Sequence, residues 1–184
     1  MKAFIKAHKG RITIVLLVTL IINSMALRVF DAPLKNDDCP NGIVSFELAK
    51  NLDSSVDILD SWNAQEKTYA GLSLGIDFLY LFVYSTFIAL LIFNINNRLW
   101  ENRAFYKLGK LLIILIFSAA LFDAIENIAL IKLLLGDLRQ IWASVAYYFA
   151  AMKFAIVLVC IVYLLANWSV LLIRVLRPKK ASLE

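Results

Sequence analysis

Four long apolar runs, separated by polar punctuation, set the rhythm of this chain. The first, residues 12–27, lies between Arg11 and Arg28 and has 16 residues. As a helix it would be ~24 Å long, short of a ~30 Å hydrocarbon core by a margin that snorkelling arginines can close. The second occupies 70–97 and ends at Asn94, Asn96, Asn97 and Arg98. The third, 111–135, and the fourth, 141–173, are separated by a short Gly136-Asp137 turn. An apolar run of this length reads as a membrane span. Residues 30–68 form the one sizeable polar segment, opening with Asn36-Asp37-Asp38-Cys39-Pro40-Asn41-Gly42, which is turn chemistry throughout. Phe46, Ala49, Leu52, Val56, Leu59 and Trp62 then recur at helical spacing and predict one or two amphipathic helices, with Asp53 or Ser54 as a cap. Trp62 and Tyr69 are expected at the membrane interface. The predicted fold is all-α: a polytopic membrane protein, a four-transmembrane-helix bundle forming a single membrane domain over 1–184. Its spans are 12–29, 70–97, 111–135 and 141–173, and an extracytoplasmic helical cap, 30–68, joins spans one and two.

Composition agrees with this pattern. A hydrophobic share of 61% with 18% charged residues exceeds what a soluble fold can hide. The net charge of +5 is placed topogenically and not as a nucleic-acid patch. Lys2, Lys6, Lys9 and Arg11 precede the first span, Arg98, Arg103, Lys107 and Lys110 fill the second loop, and Arg174, Arg177, Lys179 and Lys180 follow the last span. The positive-inside rule assigns all three to the cytoplasm. The expected location is therefore a bacterial inner (plasma) membrane with both termini cytoplasmic. Ser24-Met25-Ala26 also fits a signal-peptidase pattern, whereas Arg28 suits a retained anchor.

The spans are not uniformly apolar. Counting up from Lys110 puts Asp123 ~20 Å and Glu126 ~24 Å into the membrane; Asp77 and Lys153 lie ~30 Å above their own cytoplasmic anchors. Asp123, Glu126 and Asn127 share one face of their helix, and Asp77, Tyr80 and Tyr84 share another. Lys153, Cys160 and Asn167 form a third stripe. Buried charges persist when they find partners. The expectation is a polar cluster of Asp77, Tyr80, Tyr84, Asp123, Glu126, Asn127 and Lys153 around an outward-facing chamber. Lys153 is expected to pair with Glu126 or Asp123, and Lys132 to snorkel outward. Gly71 and Gly75 predict a close helix approach.

Function is less defined. No nucleophile–base pair or phosphate loop is present in the sequence, and neither a metal site nor a cofactor is expected. His8 stands alone, and Cys39 and Cys160 belong to separate regions, with an intermolecular bridge through Cys39 as a minor option. The expected function is a non-catalytic accessory or assembly subunit. Its partners would be membrane lipids, with a further membrane protein or a homo-oligomeric copy, and no nucleic acid. The alternative is a protein that binds a lipid or small hydrophobic ligand, or a lipid-modifying enzyme, using the buried carboxylates.

Phe46-Glu47-Leu48-Ala49, Trp62, Asp77-Phe78-Leu79-Tyr80 and Asp123-Ala124-Ile125-Glu126-Asn127 together resemble features of small bacterial four-span integral membrane proteins. The resemblance covers most of 44–130. No established activity accompanies that group, so it implies an architecture and no function.

Overall fold

The computed structural model describes residues 2–101 and 103–176. The basic residues Arg177, Lys179 and Lys180 lie outside the described residues, as do the side chains of Lys2, Lys6, His8 and Lys9. The helices are α1 (Lys2–Asp31), α2 (Ile43–Glu47), α3 (Leu52–Ser61), α4 (Ala64–Trp100), α5 (Tyr106–Leu134) and α6 (Gln140–Leu176), with a 3-10 turn at Ala32–Leu34. Among the described residues, α1, α4, α5 and α6 are long and apolar enough to cross a membrane. They pack as a helical bundle, and α2 and α3 form a cap at one end, hereafter the cap end.

Each long helix outruns the apolar stretch that announced it, for local reasons. α4 starts six residues before position 70 because Asn63 and Glu66 form a capping box: Asn63 accepts from the Glu66 amide, and the Glu66 carboxylate accepts from the Asn63 amide at 2.7 Å. The cap of α3 is Asn51, which accepts from the Ser54 amide at 2.8 Å, and not Asp53 or Ser54. A cap sits one residue before the first helical one, and because the helix already begins at Leu52 its cap falls on Asn51. Between α5 and α6, Gly136 takes φ +90°. The Gly136 and Asp137 amides then close onto Leu133 and Lys132 carbonyls, and the chain reverses within five residues. Asp137 is held below the usual carboxylate range because Arg139 bonds to both of its oxygens and Trp142 donates a third hydrogen bond.

Three expectations are corrected by packing. Trp62 is buried at 2% exposure and donates its indole N–H to the Leu34 carbonyl at 2.9 Å, so it pins the cap instead of facing an interface. Cys39 is also fully buried, its thiol donating to the Gly42 carbonyl, which removes it from any intermolecular bridge while the cap is folded. The glycine pair does not draw two helix backbones together: a Cβ at Gly71 would meet a Leu134 methyl at 3.6 Å, and Gly75 faces open space.

The core of the cap is continuous with that of the bundle. Leu34, Cys39, Phe46 and Trp62 pack on Leu130 and Leu133 of α5 and Ala143 and Ala146 of α6. Leu52 reaches α6 as well, its amide donating to Gln140 Oε1 at 2.8 Å. Among the long helices, α5 packs on both α4 and α6, whereas α1 packs on α4 and touches α5 and α6 at most glancingly. In the most apolar stretch of α1 only 6% of residues are buried, against 33% in those of α4 and α5. The bundle is therefore closed on one side and parted between α1 and α6 on the other.

Candidate binding cleft

The α5 sequence positions Asp123, Glu126 and Asn127 at i, i+3 and i+4, and the face they share turns into the bundle, where all three are buried. Lys153, thirteen residues into α6, meets them. Its Nζ donates to Asp123 Oδ1 at 2.7 Å and to Glu126 Oε1 at 2.9 Å. The sequence offered these acids as alternatives; the ammonium bridges both. A third carboxylate joins from the cap, with Glu47 Oε2 3.5 Å from the same nitrogen. Asp77 of α4 enters through an amide, accepting from Asn127 Nδ2 at 2.7 Å. Tyr84 lies two turns along α4 from Asp77, buried, with its ring 5.5 Å from that of Tyr80. Lys132 is exposed and stays apart.

Glu47 was not among the candidates from sequence. It lies on a five-residue helix outside the spans, so depth counting could not reach it. A usable signal was its place beside Phe46, a core residue of a short amphipathic helix. Burial among carboxylates pushes the Glu47 carboxyl above its ordinary range, against the pull of Lys153. Burial likewise pushes the Cys39 thiol up to about 11.

Beside this knot of charge lies a partly open cleft of about 580 Å³. Its long walls are apolar: Leu20 and Leu27 from α1, Ile88 and Leu91 from α4, Val157 and Leu164 from α6. At the cap end it is lined by Glu47, Asp77, Tyr84, Asp123, Asn127 and Lys153. Arg28 and Asp31 stand at its α1 edge. Asp31 is held there by the cap, accepting from the Ile43 amide at 2.6 Å. Gly42 makes that contact possible, because with φ +60° any Cβ would fall on the Asp31 carboxylate. The volume lies within the ~300–1,000 Å³ of ordinary small-molecule sites. Asn127 Oδ1, buried on its wall, has no hydrogen-bond partner, and two further buried polar atoms there are only loosely met: Glu47 Oε2, 3.5 Å from Lys153 Nζ, and the Tyr84 hydroxyl beside the Asp123 carboxylate. Such atoms cost about 1–3 kcal/mol each when left unmet.

Among the described residues, no group of three His, Cys, Asp or Glu side chains is arranged to hold a metal ion. Where the acids converge, the Lys153 ammonium occupies the position a cation would take.

A second polar cluster lies at the opposite end. Asn96 donates to the Tyr106 carbonyl at 3.0 Å and accepts from the Tyr163 hydroxyl at 3.2 Å. Asn167 accepts from the Trp100 indole N–H and donates to the Tyr163 carbonyl at 2.7 Å. The sequence places Asn167 on one stripe with Lys153 and Cys160; the structure joins it to a network with Asn96, Trp100, Tyr106 and Tyr163 across α4, α5 and α6. A Cβ at Gly109 would land on the Asn96 side-chain amide, so the α5 backbone approaches α4 directly at that point.

No protein family, no curated protein and no solved structure matches this chain.

Proposed function

We propose that the chain is a membrane-embedded binding protein for an amphiphile, whose apolar portion lies along α1, α4 and α6 and whose polar head meets the Asp77–Lys153 end of the cleft. The observation that carries this reading is the pairing of apolar walls with incompletely partnered buried polar atoms at one end, the Asn127 carbonyl oxygen foremost. Groups that served only to lock helix register would have their valences filled. Entry from the bilayer is the natural route, since α1 and α6 barely meet. By the positive-inside rule the cap faces away from the cytoplasm, in keeping with a bacterial inner-membrane location. The test is native mass spectrometry of the chain purified in mild detergent. A bound amphiphile should accompany the wild type and be lost from Ile88→Trp, which fills the apolar wall. Equal occupancy in both proteins would remove the cleft as the site.

A second reading, an accessory or assembly subunit, draws support from the thinly packed α1, whose apolar surface needs a cover. Lipid acyl chains can supply that cover as well as a partner helix can. Purification that yields a stoichiometric partner or a homo-oligomer would favour this reading, and a monodisperse monomer would count against it.

A further inference from the structure

We propose that the head-group end of this cleft is built for a cationic, hydrogen-bond-donating head, an ammonium at the end of an apolar chain. The inference rests on the binding reading above and narrows it to a ligand class.

The free valences on the wall are weighted toward acceptors. Glu47 Oε2 and Asn127 Oδ1 can only accept from a ligand when the carboxyl is ionised and the amide is oriented as found, and the Tyr84 hydroxyl can do either. Asp77 has one donor, Asn127, for a carboxylate with room for several. The Lys153 ammonium is turned to its own acids: two of its three protons go to Asp123 and Glu126, and the Glu47 carboxyl stands 3.5 Å away.

Charge points the same way. Glu47, Asp77, Asp123 and Glu126 gather around one lysine, so acids exceed amines in the knot itself. Arg28 on the α1 edge is exposed, and Asp31 beside it pairs with Lys35 at 3.5 Å. A phosphate or carboxylate head would face the acids Glu47, Asp77 and Asp123 on the wall, with the exposed Arg28 at the cleft's edge as its counterweight. An alcohol would satisfy one acceptor and leave the charge as it was. An ammonium supplies three donors and a positive charge, matching both deficits.

The experiment uses the full chain in phosphatidylcholine nanodiscs and three probes with one tail: dodecylamine, dodecanol and dodecyl phosphate. Specific binding is read as the difference between wild type and Ile88→Trp, which subtracts partition into lipid. Dodecylamine should bind at least tenfold more tightly than dodecanol, with dodecyl phosphate weakest. Asp77→Asn should lower that preference severalfold, and Glu47→Gln provides a second reading should the first variant fail to fold. Equal binding of the three probes would overturn the ammonium assignment and leave the amphiphile reading standing. Absence of any difference between wild type and Ile88→Trp for all three would overturn both.

Discussion

The two polar clusters of this bundle use similar residues to opposite ends. At the end away from the cap, both polar atoms of the Asn96 side chain and both of Asn167 are engaged, and the backbone at Gly109 closes any gap. That cluster is neutral, packed and complete. At the cap end, acids outnumber the single lysine, buried acceptors stay open and an apolar cleft adjoins them. A polar group inside a bundle is worth most to stability when its valences are filled, and worth most to a ligand when they are not. The contrast separates a clasp from a receptor within one set of helices.

The sharpest way to break the comparison is Lys153→Met. It leaves Asp123, Glu126 and Glu47 facing one another and should cost about 3–5 kcal/mol, seen as a large drop in melting temperature or folded yield in detergent. A loss below about 1 kcal/mol would mean that the acids do not depend on the ammonium. Adding Glu126→Gln to that variant should recover part of the loss, which a double-mutant cycle would measure.

Next in size is Gly109→Ala, where the new methyl lands on the Asn96 amide. Overpacking of this kind costs about 1–3 kcal/mol. Ligand binding at the far end should be unchanged in the folded fraction, and a parallel loss of binding would show that the clusters are coupled.

The pH response should differ between the ends as well. The Glu47 carboxyl titrates above its unfolded value, so its contribution to stability is complete below the ordinary carboxylate range and is lost as pH rises through the elevated value. Glu47→Gln should flatten the fall of melting temperature with rising pH, by at most one proton's worth, about 1.4 kcal/mol per pH unit. Gly109→Ala should leave that slope alone.

The smallest effect concerns Cys39. Buried, and with its thiol pushed up to about 11, it should resist maleimide at pH 8 in the folded protein and label fully after denaturation. Rapid labelling of the native protein would show that the cap opens as a unit.

How far sequence reading reached follows from the same physics. The long helices were legible because an apolar run of membrane length has few other readings, and the inward face of α5 was legible because three polar residues shared one side of a helix. Lys153 was legible as a charge needing an acid. Glu47 was not, because its place depends on how a five-residue helix folds back over the bundle, which periodicity does not encode. Trp62 was misassigned for a related reason: its indole N–H meets a carbonyl 28 residues earlier in the chain. The neutral cluster was hidden because Asn, Trp and Tyr near a span end look like interface anchors whether or not they meet. The parting between α1 and α6 left no mark in either helix, since lipid and protein interior select the same apolar side chains.

The five-residue reversal at Gly136 has a consequence for how the protein is made. Because α5 and α6 are joined so tightly, they can enter the bilayer as one hairpin, with Lys153 already beside Asp123 and Glu126. The charges would then cross as a mutually screened set, sparing the translocation machinery three separate ions.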